Sequence, residues 1–241
     1  MTLFINAIRS CIFHVAVFLF TAVYSLVSIS FIAFLPYEVR FRYITIYSRA
    51  VIFFCKTICG IHYRIEGAEN FHKHKAFVVL SNHQSQWEAF FFANQIQPLI
   101  IVCKKELLKL PMAVGWGIKL MRPITIDRSN PKQALQDIAM QGRKALLDDR
   151  YPVLMFPEGT RARVGEKLKY AKSGAALAID NNVPVVFVSH NAGYFWPAGR
   201  LMKFSGTITV KVSEPFNPTG LTAKELTDKA QVWIESNVVV P

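Results

Sequence analysis

Cysteine is scarce in this chain and poorly spaced for metal. Cys11, Cys55, Cys59 and Cys103 form no Cys-x-x-Cys pair and have no histidine at zinc-ligand spacing, so no metal site is expected. Three of the four lie in apolar stretches and read as reduced, structural thiols of a cytosol-facing protein. Internal repeats and low-complexity linkers are also missing, which excludes a solenoid and leaves no seam for a further globular domain. Acidic residues are few: 16 Asp and Glu against 28 Lys and Arg leave a net charge of +12. That excess suits an anionic membrane surface or nucleic acid, and its placement decides between them. A nucleic-acid face would interleave aromatic and basic residues on a folded patch. Here the aromatics sit mainly in the N-terminal apolar segment and in core-like runs, so no nucleic-acid partner is expected. Retention of short oligonucleotides at moderate salt would be the contrary result.

Formal charge is absent from Cys11 to Leu35, where His14 and small hydroxyl residues are the main interruptions. A helix over that stretch would be about 37 Å long, against roughly 30 Å of bilayer hydrocarbon. The run is too long for the core of a secretion signal, and no convincing small-x-small cleavage site precedes Pro36, so an uncleaved anchor is expected. Arg40, Arg42, Arg49 and Lys56 follow it, against Arg9 ahead, which puts the rest of the chain on the cytoplasmic side of the inner membrane. From Ile44 to Ile61, Thr45, Arg49, Lys56 and Gly60 fall within about 60° of one another on a helical wheel, with the other face apolar. Two readings fit: a helix lying along lipid headgroups, or one docked under the domain's own core. Residues 1–60 are expected to be a membrane anchor, whether through the bilayer or in one leaflet, and residues 61–241 the catalytic domain.

Beyond Gly60 the pattern alternates. Strands are predicted at His62 to Glu66, Ala76 to Leu80, Leu99 to Val102, Ile124 to Ile126, Pro152 to Phe156, Val185 to Ser189 and Gly206 to Val212. Helical runs fall between most of them, notably Asn130 to Leu147 with Asn130 as N-cap and Pro131 at the first position, Ser173 to Asp180, and Leu221 to Ser236. The fold class is α/β: a mixed sheet flanked by helices, behind an N-terminal hydrophobic helical segment.

Between the predicted strand at Ala76 and the apolar run from Ala89 to Ile96 stands Ser81-Asn82-His83-Gln84-Ser85-Gln86-Trp87-Glu88. This is the carboxyl end of a strand, where open α/β sheets place their chemistry. His83 and Glu88 would be about 140° from a shared face on one helix, so they can meet only if His83 lies in the turn before it. The competing reading is structural: Ser85-x-x-Glu88 fits a capping box.

A second polar loop ends the Val153-Leu154-Met155 run: Phe156-Pro157-Glu158-Gly159-Thr160-Arg161. Taken with Asn82-His83…Glu88, with Lys104-Lys105-Glu106-Leu107 through Ile126-Asp127-Arg128, and with Val183-Pro184-Val185, it resembles the glycerolipid acyltransferases, specifically the bacterial type of 1-acyl-glycerol-3-phosphate acyltransferase. The family's order is N-H-x-x-x-x-D, K-x-E-L to I-D-R, F-P-E-G-T-R and V-P-V. This chain carries Glu88 where Asp is commoner, and Met121-Arg122-Pro123-Ile124 where the family has Gly-x-x-x-Ile.

The resemblance implies transfer of an acyl chain from acyl-CoA or an acyl carrier protein to the acceptor's sn-2 hydroxyl, making phosphatidic acid at a phospholipid surface without a cofactor. His83 would be the general base, oriented by Glu88 as the acid of a Ser-His-Asp triad orients its histidine. A phosphate-bearing acceptor calls for cations, and Lys104, Arg128 and Arg161 are the candidates. Glu158 and Thr160 complete the acceptor-binding set, with Gly159 admitting close backbone approach. Arg163, Lys167, Lys169 and Lys172 form a rim for anionic lipid or the phosphates of coenzyme A, whereas Lys105, Lys109 and Lys119 read as solvated or lipid-facing. His190 reads as structural or rim. Other lysophospholipid or lipid A-type acyltransferases share His-x-x-x-x-Glu, but Phe156 to Arg161 is not expected in the lipid A group.

Overall fold

Short runs rich in Val, Ile and Leu between polar turns must pair their backbones and cover both faces. In the computed structural model, which describes residues 2–29, 31–111 and 114–241, they do so in one seven-stranded sheet. Met1 and Ser30, within the expected anchor, lie outside the described residues. The chain opens with α1 (Thr2–Ile29), a 3-10 turn at Ile32–Phe34 and α2 (Tyr37–Cys59). There follow β1 (Ile61–Glu66), β2 (Val78–Ser81), α3 (Trp87–Gln95), β3 (Ile100–Lys104), α4 (Val114–Leu120) and β4 (Ile124–Ile126). The second half adds α5 (Pro131–Arg143), β5 (Val153–Met155), α6 (Ser173–Asp180), β6 (Val185–His190), α7 (Ala192–Phe195), β7 (Gly206–Val212) and α8 (Ala223–Ser236).

Strand order is β1-β7-β6-β2-β5-β3-β4. From β6 across to β4 every neighbouring pair is parallel, while β7 runs antiparallel to β6 and takes β1 with it. The carboxyl ends of β6, β2, β5, β3 and β4 therefore line one edge in that order. Strands β2, β5 and β6 are buried at every position because helices cover both faces. Alternate residues supply the two cores: Val79 and Leu154 join Phe41, Phe91 and Val186 on one side, and Val78, Leu80 and Met155 join Ile138, Leu177 and Leu226 on the other.

Helix starts follow local chemistry. Asn130 accepts from the Gln133 amide at 3.2 Å ahead of Pro131, and Thr222 with Glu225 forms a capping box at α8. Helix α2 differs from the expected amphipathic segment. It begins at Tyr37, and Thr45 is buried with its hydroxyl donating to the Arg42 carbonyl at 2.7 Å, so Thr45 belongs to the inner face rather than the cationic stripe. Phe41, Val51, Cys55 and Cys59 share that inner face, so the docked reading holds there. Arg49 and Lys56 stay exposed beside Ile46 and Phe53.

Helix α1 is tied to the rest over most of its length. The Lys203 amide donates to Ser10 Oγ, Phe13 packs edge-on to Trp196, Thr21 meets the Tyr47 hydroxyl at 2.9 Å, and Ser28 meets that of Tyr43. Residue numbers rise along α1 as they fall along α2, so the two form an antiparallel pair. The outward face, including Ile8, Ile12, Val15, Leu19 and Val23, is exposed and apolar.

Candidate active site

Apolar Val78-Val79-Leu80 ends in a turn before α3 starts at Trp87, and His83 sits in that turn. Its Nδ1 lies 2.8 Å from Glu88 Oε2. The other carboxylate oxygen, Oε1, accepts the Gln84 amide at 2.7 Å and also that of Ser85. The Trp87 amide in turn donates to Ser85 Oγ at 3.1 Å. Glu88 thus reaches back to the Ser85 amide with one oxygen and pairs with the imidazole through the other. The second half of the expected capping box is missing, because Ser85 Oγ takes the Trp87 amide and the helix is capped at Gln86.

Glu88 is 0% exposed. Burial by itself would raise its carboxyl, but the imidazoles of His190 and His83 outweigh that and hold it well below the usual carboxylate range, at about 2. It is an anion at any working pH. With Nδ1 committed to it, His83 carries its hydrogen there and keeps Nε2 as an acceptor. The ring stacks on Phe156 with centroids 4.1 Å apart and planes 17° from parallel. The side chain retains 17% exposure, an apolar support on one face with a path to solvent.

The loop from Phe156 to Arg161 leaves β5 beside this turn, and the Ala162 amide donates to the His83 carbonyl at 2.8 Å. That bond brings the backbone next to Arg161 against His83, while the Thr160 and Arg161 side chains are exposed. Gly159 has φ +69°, and a Cβ there would meet nothing within 4 Å among the described residues. The left-handed turn by itself favours glycine there. Glu158 is half-buried, and its Oε2 is enclosed without a hydrogen-bond partner among the described residues. Burial pushes its carboxyl up to about 8, helped by the Glu88 charge and opposed by the amides of His83 and Ala162.

Lys104 and Arg128 stand exposed at the carboxyl ends of β3 and β4. With strands about 4.8 Å apart, they extend a cationic edge roughly 10–20 Å from β2. Lys104 and Arg128 thus share the edge with His83 without touching it. His190, expected as structural or rim, is no rim residue: it ends β6, is 1% exposed, and its Nε2 lies 3.4 Å from Glu88 Oε2. It was legible only as a polar residue closing an apolar strand run, the same signal that marks His83.

The chain is similar to proteins of known family. The acyltransferase family profile matches residues 62–191. A 1-acyl-sn-glycerol-3-phosphate acyltransferase of Pseudomonas aeruginosa is 37% identical over 97% of this chain and 91% of its own length. One of Limnanthes douglasii is 33% identical over 71% of this chain and 60% of its own. The crystal structure of a 1-acyl-sn-glycerophosphate acyltransferase from Thermotoga maritima shares the fold, with TM-score 0.78 and 24% identity over 96% of this chain and 95% of that one.

Proposed function

This chain belongs to the acyltransferase family, and we propose that it moves an acyl chain from an acyl thioester to the sn-2 hydroxyl of 1-acyl-glycerol-3-phosphate, giving phosphatidic acid. The observation that carries the reading is His83 Nδ1 at 2.8 Å from a fully buried Glu88, at the carboxyl edge of parallel strands. His83 Nε2 takes the hydroxyl proton as the acceptor oxygen attacks the thioester carbonyl carbon. A C–O bond forms, the tetrahedral oxyanion collapses, and the C–S bond breaks. The proton then passes from His83 to the departing sulfur. No protein nucleophile is needed, and Glu88 stabilises the imidazolium while it exists.

Arg161 binds the acceptor's phosphate, with Lys104 and Arg128 farther along the edge as further cations for phosphate. Glu158 and Thr160 hold the glycerol portion. Arg163, Lys167, Lys169 and Lys172 meet anionic lipid or the phosphates of the acyl donor. Residues 1–60 attach the enzyme to the cytoplasmic membrane surface, and residues 61–241 carry the chemistry. Attachment in one leaflet is favoured because α1 contacts α2 and the region of Trp196 to Lys203 from Ser10 to Ser28, whereas a spanning helix would leave the domain within a turn or two.

The test is a mass-resolved assay with 1-acyl-glycerol-3-phosphate, other lysophospholipids and a panel of acyl-CoA and acyl carrier protein donors. The expected product is phosphatidic acid, lost about 10²–10⁴-fold in His83→Ala. Retention of more than a few per cent of the rate by His83→Ala would refute the base.

A further inference from the structure

Behind the His83–Glu88 pair lies a third polar group. His190 closes β6, the strand beside β2, and its ring reaches under the turn that carries His83. The Ala192 amide donates to its Nδ1 at 3.3 Å, so the ring hydrogen sits on Nε2. That N–H faces two acceptors at once, the Asn82 carbonyl at 3.0 Å and Glu88 Oε2 at 3.4 Å. Asn82 clasps the same residue from the other side. Its amide donates to the His190 carbonyl at 2.8 Å, and its Oδ1 accepts the His190 amide at 3.0 Å. The strand ladder between β2 and β6 is thereby carried past its last pair, Ser81 with Val188, into the residue before His83.

We propose that His190 is a positioning residue for acyl transfer: its Nε2–H shares the Glu88 oxygen that faces His83, fixing that carboxylate and moderating the charge it presents to the base. The inference rests on His83 being the base. Two imidazoles on one oxygen divide its lone pairs, so the donor from behind withdraws density from the bond to His83. Without it, Glu88 attracts the His83 proton more strongly and its carboxylate is free to turn. The groups around His83 and Glu88 that bear on this are His190 on β6 and Glu158 after β5, with Tyr170 and Glu235 beside Glu158. A ring that only filled space would leave the pH profile alone.

The experiment measures kcat, acceptor KM and the acid limb of the pH–rate profile for wild type, His190→Leu, His190→Gln and His190→Asn, with thermal unfolding of each. Gln places a donor where Nε2 stands; Asn reaches only the Nδ1 position; Leu provides neither. The expected result is a kcat loss of about 10-fold or more for Leu and Asn with KM little changed. Their acid limb moves upward by about half a pH unit or more, and Gln restores most of the rate and the limb. Wild-type kcat and limb in folded His190→Leu would overturn the proposal. If Leu does not fold, equal loss in Gln and Asn with an unmoved limb would overturn it. His83→Ala is run alongside. Full activity there would sink the base itself, whereas loss there beside normal His190 variants would sink only this inference.

Discussion

Glu88 performs two tasks with one carboxylate, so its replacement should show in two measurements. Glu88→Gln keeps the shape, but its amide group must face either the backbone donors of Gln84 and Ser85 or the ring of His83. One donor meets another in either orientation. We expect kcat to fall about 10²–10⁴-fold and stability to drop by roughly 1–3 kcal/mol, read by denaturant unfolding. Glu158 behaves in the opposite sense. Burial pushes its carboxyl from 4.5 up to about 8, so the folded chain holds this proton more tightly than the unfolded chain does. Its contribution to stability is complete below the free value of 4.5 and is lost as pH rises toward about 8. Glu158→Gln is fixed in the neutral form, and thermal melts should match wild type near about pH 5 yet show the variant as the more stable near about pH 8.5. Melts that stay parallel across that range would count against a buried proton at Glu158.

Among the elements, the helices behind the edge hold the site by how closely they approach it. At Gly174, in the first turn of α6, a Cβ would stand 2.6 Å from Leu80 Cδ2 and 3.4 Å from the Met155 sulfur. Leu80 precedes Ser81-Asn82-His83, and Met155 precedes the Phe156 loop. Gly174→Val should therefore cost about 1–3 kcal/mol and lower kcat without touching substrate, checked by paired melts and kinetics. How much of this was readable beforehand depends on range. The run Val153-Leu154-Met155 and the cap at Asn130 are decided by neighbours in sequence: the strand and the start of α5 stand within a residue of expectation, while α5 ends at Arg143 and a π-turn over Lys144–Asp148 completes the expected run. The turn at His83 was readable too, because five residues cannot bridge a shared helical face. What the pattern did not contain was the order of strands. That β6 lies against β2, bringing His190 to Glu88, depends on contacts across about a hundred residues that no local spacing encodes. The inner face of α2 escaped for a related reason: on a nearly all-apolar helix, Thr45 looks polar-side until the partner surface is known.

At the scale of the molecule, the basic surplus and the greasy shell belong to one surface problem. Phe18 on α1 and Phe53 on α2 are 58% and 59% exposed, and Arg49 and Lys56 stand among the exposed apolar residues of α2. Apolar side chains left in water by a folded chain are stabilised by lipid, and flanking cations add about 1 kcal/mol each at an anionic surface. The two contributions separate by salt and lipid charge. Phe18→Asp with Phe53→Asp should release the protein from neutral and anionic vesicles alike, since each aspartate at hydrocarbon depth costs about 3 kcal/mol. Arg49→Ala with Lys56→Ala should weaken binding only to anionic vesicles, and less so as salt rises. Flotation with vesicles of both compositions reads both variants. Because α1 is held along α2 by Thr21, Ser28 and their tyrosine partners, the released double-aspartate protein should stay folded and acylate dispersed acceptor. If it still floats fully with neutral vesicles, the two aromatic faces are not the lipid contact, and attachment in one leaflet gives way to a helix that crosses.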